Sequence, residues 1–263
     1  MEVDVMLRAK SAPCAPAWTQ AVSLRNAAPE VRHGFSGVLK NDPGVSFPQA
    51  LRGDLRRLGV PAHVGVYTVM QIHSAEIVEA GTAPFVGFSA IADGVILPPG
   101  EDGIAAIQVA DCVPILAVRP ETGTCAALHA GWRGTAAGIL PRVLERWHRD
   151  GSAGSVHIAL GPSIRGCCYE VRGDCLNAFT PKDLAEAVEH RGGRSYLDLT
   201  RVLRNQARRF GLEDGQIEVL DACTCCAAKD GAAPFASFRR EGQPGKPYPA
   251  RNAAFIGRWG EQG

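Results

Sequence analysis

The chain lacks several features that would assign it quickly. No apolar run approaches the ~20 residues needed to span a bilayer. No N-terminal segment has the basic, apolar, small-residue order of a secretory signal. The sequence therefore predicts a cytoplasmic protein with reduced thiols and no membrane partner. An excess of one charge is missing as well: 28 Lys and Arg face 27 Asp and Glu, a net charge of +1. The two signs are mixed along the chain, so no nucleic-acid footprint is expected. The densest basic stretch, Arg201 to Arg209, reads as the solvated face of a helix. Aromatics are few, with four Tyr and nine Phe in 263 residues, so the interior must be mostly Val, Leu, Ile and Ala. There is no Gly-rich dinucleotide fingerprint, no Walker loop and no Gly-x-Ser-x-Gly elbow.

What is present is enough for a full core: 46% of the residues are hydrophobic, while 30 Gly and 18 Pro point to many turns. The nine cysteines are an odd number for a closed disulfide framework, and most read as small buried hydrophobes. Residues 1–20 read as irregular. Pro48 to Gly59 reads as a helix with Leu51, Leu55 and Leu58 on one side. Strands are expected at Val64 to Val69, Ile77 to Ala80, Val95 to Leu97, Ile104 to Ala110, Val113 to Val118, Cys125 to His129, Val156 to Leu160 and Ile217 to Leu220, with closing strands at Phe235 to Arg239 and Ala253 to Ile256. Thr135 begins a helix with Ile139, Leu140, Val143, Leu144 and Trp147 on one face, where Pro141 either kinks the helix or marks its true first turn. Asp174 to Phe179, Pro181 to His190 and Leu197 to Phe210 read as further helices. Strands and helices alternate without strict βαβ regularity, which favours a single α/β domain over residues 1–263 with mixed sheets.

Three segments place a His or Cys at the end of an apolar run beside a turn: Gln71-Ile72-His73, Ala110-Asp111-Cys112 and His129-Ala130-Gly131-Trp132-Arg133-Gly134. If these ends converge, two imidazoles and a thiolate make a three-ligand metal site with its fourth position open. The same groups could equally make a thiolate–imidazole nucleophile, with Cys112 attacking and His129 as base. Arg133, at the threshold of a helix, offers a bidentate fork to phosphate or carboxylate. Tyr169 and Glu170 follow a second strand-end loop, Tyr169 to contact a ligand and Glu170 as an acid or base. Cys223-Thr224-Cys225-Cys226 and Cys167-Cys168 supply further thiols. They lack the paired C-x₂-C spacing of a structural zinc site, which weighs against a cluster there.

In chain order, His33-Gly34-Phe35-Ser36, Gln71-Ile72-His73, Ala92-Asp93, Ala110-Asp111-Cys112-Val113-Pro114, the His129 segment, Gly161-Pro162-Ser163-Ile164, Tyr169-Glu170-Val171, Asp221-Ala222-Cys223-Thr224 and Phe238-Arg239-Arg240 resemble the YfiH/YlmD-type family. Its members are often called laccase-domain or multicopper polyphenol oxidase proteins. The resemblance implies a layered α/β/β/α domain with mixed sheets, similar to a bacterial toxin deamidase. It implies that His73, Cys112 and His129 bind one metal, usually zinc, with copper possible for the same donors. It also implies purine nucleoside phosphorylase activity on adenosine, inosine, guanosine and methylthioadenosine, and metal-dependent deamination of adenosine. Nucleoside and phosphate are then the small-molecule partners. Arg133 would hold phosphate, with Asp93 and Tyr169 also binding substrate, and Asp111, Asp93 or Glu170 would move protons. An amide hydrolase acting on peptidoglycan precursors is the alternative. A copper oxidase with a trinuclear centre needs many His, usually in His-x-His pairs, and this chain has seven His and no such pair. Many relatives carry a phosphate-holding Arg where this chain has Gly37 and Val38, and their following loop is shortened here to Asp42–Ser46, with Lys40 as the available substitute. Gly242 to Pro249 reads as an insertion.

Overall fold

A computed structural model describes residues 18–39, 45–81, 88–149, 155–227, 232–242 and 250–260. Lys40, Asp42 to Gly44, nearly all of the stretch read as an insertion and most of the segment read as irregular lie outside them. The elements begin with β1 (Trp18–Thr19), α1 (Val22–Ala27), β2 (Arg32–Leu39), α2 (Phe47–Arg57), β3 (Val66–Met70), β4 (Ile77–Glu79), β5 (Phe88–Ile91) and β6 (Gly94–Leu97). β7 (Gly103–Val109), β8 (Val113–Arg119) and β9 (Thr124–Ala130) follow, then α3 (Trp132–Ala136), α4 (Ile139–Arg149) and β10 (His157–Leu160). The remainder is β11 (Glu170–Val171), α5 (Gly173–Leu176), α6 (Pro181–Leu184), β12 (Val188–Arg191), β13 (Arg194–Leu197), α7 (Leu199–Arg209), β14 (Ile217–Val219), α8 (Phe238–Glu241) and β15 (Arg251–Arg258).

Two six-stranded sheets, ordered β1-β2-β15-β7-β3-β5 and β14-β10-β8-β9-β6-β4, lie face to face. Both mix parallel and antiparallel pairs: β3 runs parallel to β7, and β8 antiparallel to β9. The period-2 alternation of each strand builds the layers. In β7, Ile104 and Ala106 join Leu51 and Leu55 of α2 on the outer face, while Ala105, Ile107 and Val109 turn inward. In β8, Leu116 and Val118 meet that inner set, while Val113 and Ile115 face Leu140, Val143 and Leu203 of α4 and α7. Strands buried on both faces need apolar residues at every position, which is why these runs look continuous in the sequence. The result is the expected α/β/β/α stack.

Several local expectations change. The helix read from Pro181 ends at Leu184; Glu186 has φ 56° and the chain returns as β12. Gly192 and Gly193, both at positive φ, then close a two-residue hairpin with Arg191 paired to Arg194. A Gly-Gly pair is a strong hairpin signal, and it outweighs the helical spacing of the preceding residues. Phe235 to Arg239 is not a strand: Ser237 accepts from Arg240 N at 3.2 Å and caps the short helix α8. The segment after Trp132 is two helices broken at Gly138 (φ 82°), so Pro141 lies in the first turn of α4 and kinks nothing.

His33, buried in β2, has Nε2 within 3.0 Å of Ala21 N and 3.1 Å of Ala21 O. Burial lowers its pKa below 6.5. The unfolded chain therefore binds a proton that the folded chain refuses, and stability falls as pH drops below about 6.5, by up to about 1.4 kcal/mol per pH unit. Thermal unfolding followed from neutral to mildly acidic pH should show a steeper fall in Tm for the native chain than for His33→Gln. Equal slopes would remove His33 as the cause.

Candidate metal-dependent active site

Three strand ends at one edge of the stacked sheets carry the chemistry. His73 follows β3 at φ 63°, Asp111 and Cys112 join β7 to β8 with Asp111 at φ 89°, and His129 is near the end of β9. Positive φ is uncommon for residues other than Gly, and each instance here turns a strand end sharply toward the same point. The ligand atoms of His73, Cys112 and His129 all lie within 4.8 Å of one another. The two rings meet edge to face, with centroids 4.8 Å apart.

Asp93 is the hub behind them. Its carboxylate is fully buried. Oδ1 accepts from His129 Nδ1 at 2.7 Å and His73 N at 2.9 Å. Oδ2 accepts from Ile72 N at 3.3 Å and from Ser74 N and Oγ at 2.6 Å each. These bonds fix the ring of His129 with Nδ1 as donor, leaving Nε2 for the cluster, as the supporting carboxylate of a metal-bound His does. Burial pushes the Asp93 carboxyl up, but the His129 and Ser74 donors more than offset it and bring it down to about 2. Burial also raises the Cys112 thiol, yet the charge and hydrogen bond of His129 and the bond from His73 hold it at about 6. His129 is pulled down by burial and lifted to about 9 by Cys112 and Asp93.

Two glycines make room. A Cβ on Gly131 would stand 2.8 Å from His73 Cδ2 and 3.1 Å from Cys112 Sγ, and one on Gly134 would stand 2.5 Å from Ser74 O. Gln71 braces the His73 loop like an extra strand, exchanging bonds of 2.7 and 2.9 Å with the backbone of Gln108 in β7. The cluster opens into a cavity of about 560 Å³ whose lining includes Arg133, Tyr169, Phe238, Arg239 and Arg251.

Not every anticipated residue reaches this cavity in the anticipated way. Asp93 was expected to contact substrate, but its oxygens are buried and taken up by groups of the chain itself. Asp111 borders the cavity, yet its carboxylate accepts from Thr224 Oγ1 and Arg239 N at 2.6 Å each, tying the β7–β8 turn to the turn after β14 and to α8. Glu170 is outside the lining and pairs with Arg194 at 3.1 Å on the surface. Arg133 does line the cavity, stacked 4.3 Å over Trp132. The helix it belongs to has five residues, so its charge and not a helix dipole is what it offers an anion. Sequence reasoning missed Arg251 and gave Arg239 no role. Arg251 lies opposite Leu39 on the strand beside Val38, and Arg239 stands 5.5 Å from the ring of Tyr169. The signal for Arg239 was the Phe238-Arg239-Arg240 match; Arg251 had none.

The donor set fits a soft or borderline ion. Two imidazoles and one thiolate converge, His129 is oriented by a carboxylate, and one side stays open to the cavity. A layered α/β/β/α chain with such a three-donor site is the class that fold and geometry define. The profile of the family described as Multi-copper polyphenol oxidoreductase laccase matches residues 42–257. The purine nucleoside phosphorylase YlmD of Geobacillus stearothermophilus is 36% identical over 174 residues, 61% of this chain and 61% of that one. An adenosine deaminase from an unknown prokaryotic organism is 32% identical over 128 residues, 47% of this chain and 49% of that one. The chain thus spans about three fifths or less of these relatives' own lengths. The crystal structure of the Geobacillus YlmD superposes with a TM-score of 0.78 at 26% identity, covering 95% of this chain and 98% of that one. This chain belongs to the laccase-domain family of YlmD and YfiH.

Proposed function

We propose that the chain is a metal-dependent purine nucleoside phosphorylase of the cytoplasm that also deaminates adenosine, with adenosine, inosine, guanosine and methylthioadenosine as substrates and zinc as its metal. The observation that carries this is the His73, Cys112 and His129 donor set opening into a cavity bordered by Arg133, Arg239 and Arg251. The names of the relatives support it.

Zinc on these donors would lower the pKa of a water in the open position to about 7. The rest falls to the chain. Asp93 holds His129 and the His73 loop in place. Arg133 and Arg251 hold phosphate beneath the ribose, where its oxygen bonds the anomeric carbon as the bond to the base breaks. Arg251 approaches from the strand beside Val38 and so substitutes for the Arg found there in many relatives. Burial pushes the Tyr169 phenol above its ordinary value, which keeps it protonated and able to donate to the purine.

The direct test is chromatography of products from zinc-loaded protein given adenosine with and without phosphate. Adenine and ribose 1-phosphate formed only with phosphate are expected, together with inosine in both reactions. Untouched adenosine in both would reject the nucleoside reading. Arg251→Ala should raise the KM for phosphate roughly 10- to 100-fold, the worth of a charged hydrogen-bond partner, with metal content unchanged. An unaltered phosphate KM would remove Arg251 from this role.

A second reading, an amide hydrolase with Cys112 as nucleophile and His129 as base, is favoured by the depressed thiol beside that imidazole. Chelation separates the two, because deamination disappears while a thiolate hydrolase persists. The four-electron copper oxidase lacks its ligands: among the described residues no second group of histidines approaches the cluster.

A further inference from the structure

A second group of thiols stands apart from the cavity. Cys167 and Cys168 sit in the loop between β10 and β11, and Cys223 and Cys226 in the turn after β14. All four Sγ atoms lie within 4.8 Å of one another, with Cys167 and Cys226 only 3.6 Å apart. Four thiolates around one zinc at about 2.3 Å would be about 3.8 Å apart on each edge of the tetrahedron, so a small contraction completes the set. We propose that Cys167, Cys168, Cys223 and Cys226 form a structural tetrathiolate zinc site, independent of the cavity and of the reaction proposed there.

Three observations support it. First, the exposure is wrong for ordinary core thiols: Cys167 and Cys226 are solvent-exposed yet turned on each other, whereas a free Cys with no task is usually a buried hydrophobe. Second, Cys223 and Cys226 have the spacing of a metal knuckle, and the backbone N–H groups of Arg165, Cys225 and Cys226 bond to the Cys223 sulfur. Such donors stabilise a thiolate that carries charge. Third, the surroundings suit the net charge of −2 that zinc and four thiolates would have. Arg191 donates to the carbonyls of Gly166 and Cys167 at 2.8 and 3.2 Å, and Arg240 to those of Thr224 and Cys225 at 2.7 and 3.0 Å. Guanidinium groups thereby hold both thiol-bearing loops from outside. Adjacent cysteines in one loop replace the second C-x₂-C of the usual pattern, which is why spacing argued against a site that the folded chain assembles.

The site has a structural use. The two loops are already stitched by Ser163 N to Ala222 O at 3.2 Å and Thr224 N to Ser163 O at 3.0 Å. Cys168 precedes the cavity residue Tyr169, and Cys223 precedes Thr224, which anchors Asp111 beside Cys112. Zinc would rivet this junction.

The test counts metal, not turnover. The reduced full-length chain is loaded with zinc, desalted, and examined by elemental analysis and zinc-edge X-ray absorption. His73→Ala/His129→Ala, which removes two of the three cavity donors and leaves Cys112 alone there, should keep one zinc per chain with four sulfurs at about 2.3 Å. Cys167→Ser/Cys226→Ser should lose one zinc equivalent relative to the native chain. The proposal is overturned if folded His73→Ala/His129→Ala holds no stoichiometric zinc or shows two or fewer sulfurs. A Cys167–Cys226 disulfide as the resting form, found by mass spectrometry of unreduced protein, overturns it too. Should either variant misfold, the native chain loaded with cobalt(II) decides. The intense thiolate-to-cobalt bands of a four-sulfur centre support the site, and bands of one-thiolate intensity reject it.

Discussion

Cys112→Ala is expected to empty the cavity site of metal and to reduce nucleoside turnover to background while the chain stays folded. The thiolate is the only anionic donor of the three, and its partners are neutral imidazoles when they bind a metal. Without it, two imidazoles remain at the end of an open cavity, a weak pair for a divalent ion. The side chain is small and borders the cavity, so its loss leaves little void in the core. Elemental analysis should report one equivalent fewer than in the native chain, and circular dichroism should be unchanged. Zinc still bound through both imidazoles at native affinity would sink Cys112 as a ligand. Activity surviving with that metal lost would sink the metal itself as the agent.

Asp93→Asn should produce the second largest effect, on affinity and stability together. Five donors end on this carboxylate. An amide turns an NH₂ toward some of them, so at least one buried donor goes unmet at a cost of about 1–3 kcal/mol. The His129 ring loses its charged support, and metal affinity should fall roughly 10- to 100-fold. The linkage has a definite sign. The folded pKa of about 2 lies below the ordinary 3.8, so the stabilisation from Asp93 is complete above pH 3.8 and is lost as pH falls through 2. Competition with a chelator of known affinity, alongside thermal unfolding, would measure both effects. Native zinc affinity in the variant would mean that Asp93 does not orient His129.

The layers and the convergence of His73, Cys112 and His129 were legible because each rests on a strong local signal. Short apolar runs bounded by turns, such as Ile104 to Val109, read as buried strands, and the three His and Cys residues sit where such runs meet turns. The carboxylates were harder. Asp93, Asp111 and Glu170 look alike in sequence, yet one is a buried hub, one a loop tether and one a surface ion-pair partner. Only the packing of neighbouring loops separates them. Arg251 was invisible because its place in the cavity depends on which strand lies beside β2, a pairing across more than 200 residues. The β12–β13 hairpin, by contrast, was marked by Gly192-Gly193 and was readable in principle.

β15 lies between β2 and β7, inside its sheet and not at its rim. Translation therefore makes the middle of this sheet last. By residue 129 all three cavity donors exist, but β2 and β7 have no partner joining them until residues 251–258 emerge. Phe35 waits more than 200 residues for Ala254. Before then both strands present bare edges, the state most open to pairing with the wrong chain. Assembly of the pocket is thus timed by its final strand, and the interval before that strand arrives is when the nascent chain most needs protection.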